Sequence, residues 1–140
     1  CYTVFAQTGA YSDSGLMTIY AGTSGEEIGE LAALTIDEVK RAASDMSDAE
    51  IARARAQMKA GLLMGMESPS SRAERLARQL VIWDRVPSLE ETVEKIDSVT
   101  TQGVRDLAGS LAGRGAAALA LYGPVSRAPV LEQMTGRLAA

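Results

Sequence analysis

The residues able to do chemistry in this chain are few, and their spacing excludes more than it offers. There is no histidine among the 140 residues and only one cysteine, Cys1. Nucleophilic catalysis needs a base within hydrogen-bond reach of the nucleophile, and neither Cys1 nor the pair Ser70-Ser71 has a candidate. A zinc helix with two histidine ligands is excluded outright, and one thiol among scattered carboxylates has no ligand-like spacing. No metal site is therefore expected in this chain. Tyr2, taken alone, is an aromatic on a strand, which is where aromatics are at home. Arg72, Arg75 and Arg78 form a basic stretch interleaved by Glu74 and Asp84, which reads as a solvated face or an interdomain contact rather than a nucleic-acid surface.

The elements that position these side chains follow from periodicity and local signals. Tyr2, Val4 and Ala6 alternate with Thr3, Phe5 and Gln7, and Leu16 to Ala21 repeats the pattern with Met17 and Ile19 opposite Thr18 and Tyr20. Between these two strands, Gly9 to Gly15 reads as a polar turn, so Tyr11-Ser12-Asp13-Ser14-Gly15 is ordinary turn chemistry. Three serines then precede a glutamate by three residues, the pattern of a capping box: Ser24 with Glu27, Ser47 with Glu50, Ser88 with Glu91. They predict helices running from Ser24 to about Ser44, from Ser47 to about Glu67 and from Ser88 to Val99. Ser68-Pro69 starts another, with proline at the first helical position, and it must stop before Pro87. Thr100 caps a fifth helix ending at Gly113-Arg114-Gly115. The apolar run Ala116 to Tyr122, closed by Gly123-Pro124, reads as a buried third strand, and Pro129 to Leu138 as a short helix or a tail. Met58, Met64 and Met66 read as core filler, and Trp83 as a core or interface anchor. The fold class is α+β, a small antiparallel sheet covered by helices.

Several of these segments resemble the second homologous domain of the pitrilysin/insulinase zinc metallopeptidases, in the branch similar to mitochondrial processing peptidase. Cys1-Tyr2-Thr3-Val4 is similar to a GLxYSV-type strand, Tyr11-Ser12-Asp13-Ser14-Gly15-Leu16 to a YSDTGL-type turn, and Ile19-Tyr20-Ala21-Gly22-Thr23-Ser24 to an IYAGTSPE-type helix entry. Ser47 to Ile51 resembles TEEEL, Ala56 to Lys59 resembles KNQLK, and Glu67-Ser68 with Ser70 to Leu76 resembles ESTSSRMERL. Ala120 to Pro124 is similar to an AVVGP strand end. The resemblance implies that residues 1–124 are a second, C-terminal-half domain short of its first strand and helix, and that residues 125–140 are a tail or short helix.

It further implies a parent enzyme that hydrolyses peptide bonds at a zinc held by an HxxEH helix elsewhere, so this part alone is expected to be inactive. The family's second domain supplies an arginine and a tyrosine six residues apart that steady the substrate carbonyl. The tyrosine maps onto Tyr2, while the arginine falls ahead of Cys1. Expected partners are an N-terminal catalytic domain or subunit and a peptide substrate, and an exposed sheet edge makes a homodimer a further partner to consider. A non-catalytic partner or scaffold subunit of the same family is the alternative parent.

Composition agrees with a folded domain: 46% of residues are hydrophobic and 23% charged. The formal net charge of −4 argues against nucleic acid and anionic membrane as partners. No apolar stretch approaches the length of a membrane span. A strand pattern already running at Cys1 leads us to expect further sequence ahead of it. The lone thiol leans towards a reducing compartment, and bacterial cytoplasm is the expected location, with periplasm or mitochondrial matrix as alternatives.

Overall fold

The computed structural model describes residues 1–114 and 117–139. Two strands are followed by six helices: β1 (Thr3–Ala10), β2 (Gly15–Gly22), α1 (Ile28–Ser44), α2 (Asp48–Gly65), α3 (Pro69–Trp83), α4 (Leu89–Asp97), α5 (Thr101–Gly113) and α6 (Leu131–Ala139). The class is α+β, as the sequence indicates. The chain divides into two compact units, one of Cys1–Ala42 with Ala108–Ala140, the other of Ala43–Leu107.

In the first unit, β1 and β2 pair antiparallel from Thr3↔Gly22 to Ala10↔Gly15. The expected loop shrinks to Tyr11–Ser14, because Gly9 and Ala10 keep pairing with Leu16 and Gly15. The Tyr11 amide donates to the Ser14 carbonyl at 2.9 Å and the Ser14 hydroxyl to Asp13 at 3.2 Å. Phe5 and Tyr20, directly opposite, stack with ring centroids 5.0 Å apart. Beyond the hairpin, Gly25 lies so close to Pro124 that a Cβ there would sit 2.7 Å from the Pro124 carbonyl oxygen. The chain reaches that contact through Gly123, whose φ of 114° favours glycine. Helices α1 and α6 are joined by a fork of Arg137 onto Asp37, at 3.0 and 2.6 Å, and by Lys40 Nζ donating to the Arg137 carbonyl at 3.2 Å.

The third strand expected over Ala116 to Tyr122 does not form in residues 117–122; Ala116 lies outside the described residues. Apolar content alone does not make a strand. It needs a ladder partner for its amides and carbonyls, and the sheet described is β1-β2 only. The run is also not buried, with Leu121 and Tyr122 both exposed.

The second unit is organised by helix caps. Ser47 forms the full box: its hydroxyl accepts from the Glu50 amide at 3.3 Å, and its own amide donates back to the Glu50 carboxylate at 2.8 Å. Ser68 caps α3 with Pro69 in the first turn, and α3 ends on Asp84 in the left-handed region, φ 53°. Thr100 accepts from the Gly103 amide at 3.0 Å at the start of α5. Two of the expected boxes differ. Ser88 accepts from the Glu91 amide at 3.0 Å, but the Glu91 carboxylate turns to Arg85 and Lys95 instead of reaching back. Ser24 forms no box because α1 begins only at Ile28, and the Glu27 carboxylate accepts from the Thr23 hydroxyl at 2.8 Å. A charged donor or a nearer hydroxyl outcompetes the amide in each case.

Buried side chains among the described residues are Ile36, Ile51, Gln79 and Pro87. Met58, Met64 and Trp83, read from the sequence as core or anchor, are exposed. Helical spacing places them on a face without determining what covers it. Because the Ser47 box is complete, Ser47→Ala is expected to cost about 1 kcal/mol in a urea titration of the protein, with the slope unchanged.

Candidate functional site

Tyr2 stands immediately ahead of β1, at the end of the hairpin away from the turn. Its amide donates to the Gly22 carbonyl at 2.7 Å, which ties the residue to the outgoing end of β2. Strand alternation puts its ring on the face of Val4 and Ala6, together with Met17 and Ile19 from β2. The side chain is 84% exposed, and its hydroxyl has no hydrogen-bond partner among the described residues. An unengaged phenol on a fixed backbone can donate to an incoming acceptor. Next to it, the exposed Cys1 thiol donates to the Thr3 carbonyl at 3.0 Å and faces no base.

Among the described residues, no three or more histidine, cysteine, aspartate or glutamate side chains are grouped to hold a metal ion. The donor set of this chain does not fit zinc.

Recesses in the second unit include one over the start of α5 and one beside α3. The first, of about 490 Å³, is lined by Asp48, Arg55, Thr101 and Arg105. Most of its polar groups are engaged: Thr101 donates its hydroxyl to Asp48, Arg55 donates through one terminal nitrogen to the Val99 carbonyl, and Arg105 donates to the Met46 carbonyl at 3.1 and 2.6 Å, while the Arg55 Nε is buried without a hydrogen-bond partner among the described residues. This cluster ties the ends of α2 and α5 to the chain before and after them. The other recess, of about 230 Å³, lies beside α3 and the turn into α4, with Arg72, Arg75 and Gln79 in its wall. From the sequence Arg72 and Arg75 belong to a solvated face or an interdomain contact, and Gln79 is not singled out. The signal was there in the spacing, since 72, 75 and 79 fall on one helical stripe.

Charge pairs leave a mark on the acids they hold. The Arg137 fork, first by its hydrogen bonds and then by its charge, keeps Asp37 below the ordinary carboxylate value. Glu90 is lowered by its own backbone amide and the Ser88 hydroxyl. Glu91 is held down to about 2 by hydrogen bonds from Arg85 and then Lys95. The two Arg85 contacts are each 2.6 Å and the Lys95 contact 2.8 Å.

Residues 1–58 match the family described as Peptidase M16 inactive domain. An uncharacterised zinc protease of Mycobacterium tuberculosis is 32% identical over 125 residues, 87% of this chain and 28% of that protein. A probable mitochondrial-processing peptidase subunit beta of Arabidopsis thaliana is 32% identical over 119 residues, 85% of this chain and 22% of that protein. Among solved structures, a chain of Complex III2 from Candida albicans, Inz-5 bound, is similar with a TM-score of 0.70 at 25% identity, covering 76% of this chain and 26% of that one. The chain belongs to the M16, or pitrilysin/insulinase, metallopeptidase family, and carries its C-terminal-type domain. It spans under a third of the length of these curated relatives. No helix among the described residues is long and apolar enough to cross a membrane.

The Glu91 pairing sets a pH dependence. Its carboxyl titrates at about 2 when folded against an ordinary 4.5, so the unfolded chain takes up the proton first as pH falls. The stabilisation is complete above about pH 4.5 and is lost as pH drops through about 2. Denaturant titrations across this window are expected to show a slope in wild type that is reduced in Glu91→Gln.

Proposed function

We propose that this chain is the C-terminal-half domain of a zinc-dependent peptidase, that residues 1–124 make up the domain proper, and that peptide bonds are hydrolysed at a zinc site in another domain or subunit. This part supplies wall to the substrate chamber and the Tyr2 hydroxyl. By itself it is inactive. The observation that carries this reading is the free phenol of Tyr2, exposed on a backbone fixed by the Gly22 carbonyl. It stands within the region that matches the family description. Two further facts support it. Relatives aligned over more than four fifths of this chain are named zinc protease and processing peptidase. Both faces of the hairpin also display exposed apolar side chains: Tyr2, Val4 and Met17 on one, Phe5 and Tyr20 on the other. Exposed apolar surface of this kind is expected where another domain or subunit packs.

The role of Tyr2 follows from charge development. When a peptide carbonyl is attacked it becomes tetrahedral and its oxygen gains negative charge, so a donor aimed at that oxygen binds the transition state better than the ground state. A tyrosine hydroxyl is such a donor and needs no change of protonation to act.

A second reading makes the parent a non-catalytic partner or scaffold subunit of the same family, and the similarity to a chain of a complex III structure favours it. The sequence ahead of Cys1 separates the two: an HxxEH motif about one domain earlier supports the first. In the full protein, Tyr2→Phe is expected to lower kcat for peptide hydrolysis on the order of a hundredfold, with an unchanged thermal unfolding midpoint. Unaltered turnover would remove Tyr2 from the chemistry.

A further inference from the structure

We propose that the recess beside α3 binds the C-terminal residue of a peptide, its carboxylate held by Arg72 and Arg75, its backbone amide by Gln79, and its side chain by the apolar wall of Leu76, Val86 and Leu89. This site lies wholly in the second unit, shares no residue with Tyr2, and stands independently of the catalytic reading.

Gln79 is the observation that points to a ligand. It is only 8% exposed, yet its amide has no hydrogen-bond partner among the described residues. Its stem is packed, and its amide is not sealed off but stays open to the recess. The Gln79 amide borders the recess, where it can both donate and accept, as one peptide group requires.

Charge selects the kind of ligand. No acidic side chain lines the recess. Arg75 has only a neutral contact, at 3.4 Å to the Thr92 hydroxyl, and Arg72 is exposed with no ion pair among the described residues. Glu74, between the two arginines in sequence, lies about 160° around the helix from Arg72 and outside the recess wall, and Glu91 is engaged by Arg85 and Lys95. Ser88, at the amino end of α4, also borders the recess, and that end of a helix favours an anion. Two guanidinium groups beside one helix end suit a carboxylate.

Size and polarity narrow the ligand to one residue. About 230 Å³ is less than a drug-sized ligand needs. One carboxylate, one amide and one apolar side chain match the three kinds of wall present.

Isothermal titration of the full-length protein with N-acetylated tripeptides ending in leucine tests this. The free acid is expected to bind at least about tenfold more tightly than the C-terminal amide, the difference a charge-assisted pair supplies. Arg72→Gln, at an exposed position, is expected to erase that preference while leaving the unfolding midpoint in place. Gln79→Met is expected to weaken acid and amide alike, and Tyr2→Phe to alter neither. Equal affinity for acid and amide, or no binding of either at millimolar peptide, would overturn the site. Octanoate or inorganic phosphate binding as tightly as the acid peptide would overturn the peptide assignment.

Discussion

The backbone ladder between β1 and β2 is the constraint on which the placement of Tyr2 rests. Its register, Thr3↔Gly22 through Ala10↔Gly15, sets Tyr2 opposite the exit of β2 and its ring on the Val4 face. A slip of one residue would send that ring to the other side of the hairpin, so the position of the phenol is only as well defined as the register. An isolated two-stranded hairpin is marginal in water, and this one gains from the Phe5–Tyr20 stack and from a turn closed by Tyr11 and Ser14. What it lacks is cover on its faces. The same exposed side chains that leave it marginal make a packing partner the natural completion of the sheet, and a partner that packs there also sets what lies opposite Tyr2.

The helices are tied by a different kind of contact. Among the described residues Ile36 and Ile51 are the buried hydrophobic side chains in helices, and they are few for six helices. Exposed ion pairs such as Lys59–Asp97 and Arg137–Asp37 contribute little individually. More specific are the arginines that reach backbone carbonyls near helix ends: Arg105 to Met46, just past α1, and Arg55 to Val99, just past α4. Carbonyls at such ends lack an intrahelical partner, and a guanidinium satisfies them while holding the next helix start in place. Each unit is thus specified at its joints more than in its interior.

This explains which parts of the fold were legible in the sequence. Strand alternation and the caps at Ser47, Ser68, Ser88 and Thr100 are local chemistry, and each stands where its residues put it. Ser24 failed because Thr23, one residue earlier, holds the Glu27 carboxylate. The third strand failed because an apolar run carries no information about whether a partner strand lies beside it. Met58 and Met64 show the same limit for helices, since periodicity defines a stripe and not its cover. The role proposed for Tyr2 rests on family resemblance; as a residue type on a strand it is unremarkable. Gln79 shares a helical stripe with Arg72 and Arg75 that the spacing shows, but the recess beside that stripe is made by the turn into α4 and is not visible in the spacing.

The basic stretch of α3 shows how much the third dimension adds to a charge run. At about 100° per residue, Arg75, Leu76 and Gln79 all lie within roughly 60° of Arg72 around the helix, whereas Arg78 lies about 120° away. Three arginines that read alike in sequence therefore separate into a pair that borders a recess and one outside its wall. The pair differs in turn. Arg75 is half-buried and contacts the Thr92 hydroxyl at 3.4 Å, while Arg72 is exposed. The exposed charge is the one an incoming ligand meets first. Gln79, one turn further along the same stripe, then faces whatever amide follows the carboxylate, so the order of groups along α3 matches the order of groups at the end of a peptide chain.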